Sequence, residues 1–412
     1  MVPPVRHTLL AAAMKNKQVV ASATQLAHRV STVMTRPSNV GLAVLLMIAV
    51  LAGCGGDSTA PPPPTTGTLE FNVVTTGVDI DGDGFLLTIE GQAPQTIPAN
   101  GMVTVSNLRG TVLLTISGMA FNCDLTTAPP WADVILGETT RVDVRASCTP
   151  YLQNAIVYTT LRGCCNAVMV MRPDGSRREQ LTFDNSNYLS PVVSPDGQSI
   201  AVASGPGSGA SDGIFLLDRF GKGRTKVVGR STSDLIPTWS ADGTKLAFQS
   251  LVATPAGDKG RIFIVNRDGT GLRQLTPEPA SGDVYDDTPA WSPDGTRIVF
   301  SRNGDLFLIN PDGTGLTSPG VTGFGPSWSP DGASIAYAAG GLFVMDRNFT
   351  SRQLTSVPDI LPRWSPDGRQ LVFEHLEGPS TQIYKIGADG SGMTKLSVGT
   401  QDESWASWSP NF

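Results

Sequence analysis

Between residues 68 and 148 apolar and polar side chains alternate in the manner of half-buried strands, in the runs LEFNVV, FLLTIE, MVTVSNL, TVLLTISG, ADVILG and RVDVRAS. Gly, Asn, Asp or Pro separates one run from the next, which predicts about six short strands joined by turns. From residue 154 the alternation continues, but now it repeats. The anchors are VSPDG, WSADG, WSPDG, WSPDG, WSPDG and WSPNF, with serines at Ser194, Ser240, Ser292, Ser329, Ser365 and Ser409. Their spacings of 46, 52, 37, 36 and 44 residues suit one four-stranded blade per repeat.

Each part of the repeat has a physical reason. The Trp, replaced by Val193 in the first copy, can pack between neighbouring blades. In Ser-Pro-Asp-Gly the proline presets φ, the aspartate bonds to nearby backbone and the glycine accepts positive φ. An apolar strand follows each anchor (SIAVAS, KLAFQS, RIVFSR, SIAYAA, QLVFEH) and is expected to be the inner strand of the next blade. A second apolar strand (IFLLD, IFIVN, LFLIN, LFVMD, IYKIG) and, in three copies, a strand with Gln-Leu-Thr complete the unit. The ends complement each other. The repeat begins at Ala155 without an anchor before it and stops at an anchor without a strand after it, so the first strand is expected to close the ring beside the last repeat.

With these anchors the chain resembles the TolB-like, or WD40-like PD40, propeller family across residues 154–412. The resemblance implies a six-bladed β-propeller and, in bacteria, most often a periplasmic binding protein working with lipoproteins or peptidoglycan-associated partners. Similar blades also cap prolyl-oligopeptidase-type peptidases, but no Gly-x-Ser-x-Gly elbow is found. The expected fold class is all-β: a six-bladed propeller at 154–412 preceded by a small, immunoglobulin-like β-sandwich at 68–150.

The N-terminus changes the picture of location. Residues 40–53, VGLAVLLMIAVLAG, form an apolar run too short to span a bilayer comfortably, with Arg36 as its positive flank. It ends in Leu51-Ala52-Gly53-Cys54, which resembles a bacterial lipobox. Residues 1–53 are thus expected to be a lipoprotein signal peptide and Cys54 the lipid attachment site, with a membrane partnership through the lipid alone. By resemblance to Gram-negative lipoproteins, Gly55 in place of Asp is compatible with the outer membrane, on its periplasmic side or its surface. A linker at 54–67 carries Pro61 to Pro64, which favour an extended spacer.

Charge and composition exclude more than they assign. The formal charge is −6, and without the acid-free first 53 residues it becomes −11, from 25 Lys+Arg against 36 Asp+Glu. Such an acidic body makes nucleic acid an improbable partner. Only three histidines occur, and His375 alone lies beyond residue 53, so a multi-His metal site cannot form.

Five features are candidates for chemistry. Cys123 and Cys148 are expected to form a disulfide outside the cytoplasm. Adjacent Cys164 and Cys165 could form a vicinal disulfide. An acid recurs five residues before the Trp as Asp234, Asp286, Asp359 and Glu403, with Tyr188 and Gly323 in the other two copies. These acids could ring one mouth of the propeller and hold a cation or basic ligand, or serve the repeat by accepting backbone N–H bonds. Asp79, Asp81, Asp83 and Glu90 have calcium-loop spacing, although the strand-like flanks read more simply as a hairpin turn, and no other cofactor is expected. His375, alone after its strand, reads as a surface or packing residue rather than a catalyst. The function expected is a non-enzymatic, lipid-anchored envelope protein that binds an envelope protein, peptidoglycan or glycan. The alternative is a glycan lyase or hydrolase with a carboxylate-lined site in the channel.

Overall fold

A computed structural model describes residues 61–411, apart from 81, 208–210, 230–232, 256 and 279–283. The expected signal segment and Cys54 lie outside the described residues. The rest is β-structure throughout.

Residues 67–148 form two four-stranded sheets. One orders Gly101–Leu108, Gly67–Gly77, Thr139–Cys148 and Cys123–Thr127; the other orders Gln95–Ile97, Phe85–Ile89, Gly110–Ser117 and Trp131–Val134. Strict alternation in Gly67–Gly77 sends Leu69, Phe71 and Val73 into a core shared with Phe85, Leu87, Ile89 and Val144. Gly67–Gly77 and Thr139–Cys148 run parallel, and every other pair in the two sheets is antiparallel.

Beyond residue 154 the described residues form six further sheets, five of four strands and one of three. The innermost strands are Ser186–Val193, Asp234–Trp239, Asp286–Trp291, Phe324–Trp328, Asp359–Trp364 and Glu403–Trp408. Each ends at the anchor, which corrects the sequence expectation for strand order. Trp239 pairs with Leu246 across its turn, so the anchor joins the first two strands of one blade and does not cross to the next. The turn is too tight to do otherwise. Ser240 N donates to Lys245 O and Gly243 N to Ser240 O, both at 2.9 Å, and a loop that short demands antiparallel neighbours.

The anchor residues divide the work of the turn. Ser Oγ donates to the Asp carboxylate at 2.5–2.6 Å in five copies, and the same carboxylate accepts the backbone N–H two residues on. Gly197, Gly243, Gly295, Gly332 and Gly368 sit at φ of 65–71°, where a Cβ would be strained. Trp239 packs between blades against Ala201, Ile214 and Phe248, and its indole N–H donates to Val192 O of the preceding innermost strand at 3.2 Å. Trp364 makes the equivalent bond to Ser327 O at 3.1 Å.

Ring closure joins the two ends of the repeat. Glu403–Trp408 pairs with Ile156–Arg162, and that sheet continues through Cys165–Met171 and Glu179–Gln180. Ser409 N donates to Ala155 O at 2.8 Å and Ala155 N to Ser409 Oγ at 2.7 Å. These are the bonds that Ser240 and Lys245 make within a continuous hairpin, so the turn is rebuilt from two separate segments.

Candidate functional site: the propeller channel

Every innermost strand carries the same irregularity. Three residues before the anchor position stand Ser190, Ile236, Thr288, Gly325, Leu361 and Trp405, with φ between 49 and 61°. At each of them the pairing register slips. Left-handed backbone at Ile236 or Thr288 costs about 1–3 kcal/mol, so six repetitions mark a built feature. A proline follows in five copies (Pro191, Pro237, Pro289, Pro326, Pro362) and Ala406 in the sixth. Proline has no N–H to leave unpaired where the bulge interrupts the ladder.

The bulges turn these strands toward the axis, where they line a cavity of about 140 Å³. Immediately before the anchor position the six strands contribute Val192, Thr238, Ala290, Ser327, Arg363 and Ser407 to its wall. Five are apolar or hydroxyl residues; Arg363 alone is charged. Burial lowers its pKa from the usual value to about 10, with Glu374 opposing the fall. Sequence reading missed this ring. The signal was present as the x-Pro-x-Trp spacing, but only the bulge reveals which of those residues face the axis.

The repeated acids stand elsewhere. Asp234, Asp286, Asp359 and Glu403 are all buried and face the second strand of their own blades, opposite Ser250, Arg302, His375 and Thr160. Arg302 grips Asp286 through two hydrogen bonds of 2.6 and 2.9 Å. His375 Nδ1 lies 2.5 Å from Asp359 Oδ1, with its ring 4.8 Å from Tyr384. Arg178 Nη1 donates to Glu403 and to the Tyr158 hydroxyl, both at 2.8 Å, and burial with Glu403 nearby pushes that phenol up to about 12. None of the four lines the cavity, and no group of three or more His, Cys, Asp or Glu among the described residues could hold a metal ion. His375 is therefore the partner of a buried acid, which its position in sequence did not reveal.

The calcium-spaced residues are not drawn together. Asp79 Oδ1 meets Arg219 Nη2 at 2.5 Å and its Oδ2 accepts Tyr151 N at 2.8 Å, so both oxygens are used between sandwich and propeller. Asp83 lies in the turn before Phe85, whereas Glu90 follows Phe85–Ile89 at the far end of that strand, about 17 Å on at the usual rise. Asp81 lies outside the described residues. Phe121 and Tyr151 extend the same junction, entering one apolar cluster with Val157, Val168 and Phe215. Cys123 and Cys148 are directly paired across two strands and disulfide-bonded, and Cys164 and Cys165 form a vicinal disulfide at the hairpin after Ile156–Arg162.

The architecture defines a repeat propeller with a narrow, bulge-lined channel and an N-terminal β domain docked onto it. Residues 148–338 match the TolB beta propeller domain family, PD40, and the blades are those of a TolB-like propeller. Over 162 residues the chain is 28% identical to the Protein TolB homolog of Chlorobium luteolum, covering 38% of this chain and 34% of that one. Over 118 residues it is 30% identical to the Tol-Pal system protein TolB of Anaeromyxobacter dehalogenans, covering 29% and 25%. The chain thus spans about a third or less of the length of these relatives. TolB from Acinetobacter baumannii shares the fold, with a TM-score of 0.52 at 18% identity over 63% of this chain and 67% of that one.

Proposed function

We propose that the protein is a lipid-anchored bacterial envelope protein whose propeller binds a partner and performs no catalysis. The observation that carries this reading is the TolB-like propeller, whose curated relatives are named as TolB proteins, three of them as Tol-Pal system proteins. By analogy its partner is an envelope protein or a cell-wall component. The lipobox-like Leu51-Ala52-Gly53-Cys54 supports anchoring through Cys54, with the proline-rich linker as spacer. Two features weigh against a glycan-cleaving channel. A cavity of about 140 Å³ is small beside the roughly 300–1,000 Å³ of ordinary ligand sites, and three of the four repeated carboxylates are engaged with Arg302, His375 and Arg178.

The test has two arms. Labelling with a radioactive fatty acid should mark the full-length protein and be lost in Cys54→Ser, which should leave the membrane fraction. Persistent label in that variant would remove Cys54 as the anchor. Crosslinking from native membranes should then recover a defined envelope partner that binds the purified protein directly. Turnover of a polysaccharide or peptide by the purified chain would overturn the non-catalytic reading.

A further inference from the structure

The channel wall departs from its own six-fold pattern at one place. The residue before the anchor position is neutral in five blades and is Arg363 in the sixth. Among the described residues Arg363 makes no ion pair. Its hydrogen bonds run from Nη1 to Pro362 O at 3.0 Å and Gly325 O at 3.4 Å. Glu374 attracts its charge without closing an ion pair, and Glu374 Oε1 accepts the Trp405 N–H at 2.5 Å. A guanidinium presents five donors in a planar fork, so one nitrogen bonded to two carbonyls leaves most of that capacity toward the cavity. A half-buried cation without an ion pair is costly, and structures that keep one generally use it.

The flanking strands supply the rest of the site. Phe324–Trp328 and Glu403–Trp408 lie on either side of Asp359–Trp364 around the ring, and they contribute Ser327 and Ser407 at the position matching Arg363. Two hydroxyls thus bracket one guanidinium. We infer that the channel holds a carboxylate on Arg363, between Ser327 and Ser407. One cation balances one negative charge. A phosphate dianion would retain uncompensated charge in a confined, weakly polarisable space. The planar carboxylate also matches the guanidinium fork through two parallel hydrogen bonds. A cavity of about 140 Å³ has the liquid volume of roughly four or five waters, which admits a short-chain acid or the terminal residue of a polypeptide but not an oligosaccharide.

The inference deepens the binding reading above and rests on it. Its test uses purified full-length protein without an envelope partner, so the two can fail separately. Acetate, succinate and a short peptide with a free C-terminus, alongside the same peptide as its amide, would be titrated by calorimetry and saturation-transfer NMR in low chloride. At least one carboxylate should bind. Arg363→Gln should weaken it about tenfold or more, Arg363→Lys should restore part of the affinity, and Ser327→Ala/Ser407→Ala should weaken it severalfold. Binding of the small acids identifies a free metabolite-like acid as the source; binding of the acid peptide but not the amide identifies a chain terminus. Failure of every carboxylate to bind, or unchanged affinity in a folded Arg363→Gln protein, overturns the inference. Should that variant not fold, unchanged affinity in Ser327→Ala/Ser407→Ala overturns it equally.

Discussion

Replacing Asp286 by Asn separates the two roles open to the repeated acids. Asp286 has no exposed side-chain surface and its partner Arg302 is 11% exposed. Their two hydrogen bonds of 2.6 and 2.9 Å form a bidentate pair, with the guanidinium also 5.5 and 5.4 Å from the Phe300 and Phe307 rings. Asparagine keeps the shape but leaves Arg302 facing an amide NH₂ and no counter-charge. Removing one partner of a buried pair costs roughly 3–5 kcal/mol. For a domain of this size each kcal/mol moves the melting temperature about 2–4 °C, so the drop should be roughly 6–20 °C by circular dichroism or calorimetry at pH 7. Asp286→Leu/Arg302→Met should recover most of it, because a well-packed apolar pair replaces the ions without stranding a charge. A variant melting within about 2 °C of the parent, yet altered in cation or partner binding, would refute the scaffold role and reinstate the ligand-binding one.

Four further outcomes are expected. Burial raises the Asp287 carboxyl to about 6, against hydrogen bonds from Thr288 and Ser301, so the folded state keeps a proton that the unfolded chain has released. Stability should therefore fall by roughly 1–3 kcal/mol as pH rises from about 4 to 6, and Asp287→Asn should be more stable than the parent at pH 7 but equal to it below pH 4, read by urea melts. Asp196 behaves oppositely: burial raises its pKa, but bonds from Ser194 and Arg267 prevail and hold it at about 2, so its contribution is present above pH 4 and lost between pH 4 and 2, a slope that Asp196→Asn should reduce. Ser409→Ala removes the acceptor of the Ala155 N–H at the ring closure and should cost about 1–3 kcal/mol with faster unfolding, measured by stopped-flow in urea. Cys123→Ala/Cys148→Ala releases a crosslink spanning 25 residues and should cost about 3–4 kcal/mol, seen as a lower urea midpoint that matches the reduced parent protein.

The propeller was legible in the sequence because its signals are local. Pro presets the anchor turn, Gly takes positive φ, and Ser and Asp bond within five residues, so each copy specifies its hairpin without distant help. Closure joins Ala155 to Ser409, 254 residues apart, through the same serine bonds that each continuous anchor turn makes locally. Strand order within the blade was not legible. It depends on which side of the tight turn lies nearest the axis, and alternation alone is silent on that. The docking of Asp79 on Arg219 joins residues 140 apart in sequence, and the pairing of His375 with Asp359 crosses a strand pair whose register is set by a bulge. The acids form a repeated set, and repetition favours a scaffold role over a ligand-binding one. A residue repeated in four of the six blades answers a need that those blades share, here a charged or polar neighbour on the second strand of the same blade. Arg363 inverts that logic. It occupies a position that five blades fill with neutral side chains, so blade geometry does not explain its charge. In a repeat protein the break in the pattern is where a function peculiar to the chain should be sought, provided the break faces a space that a ligand can enter.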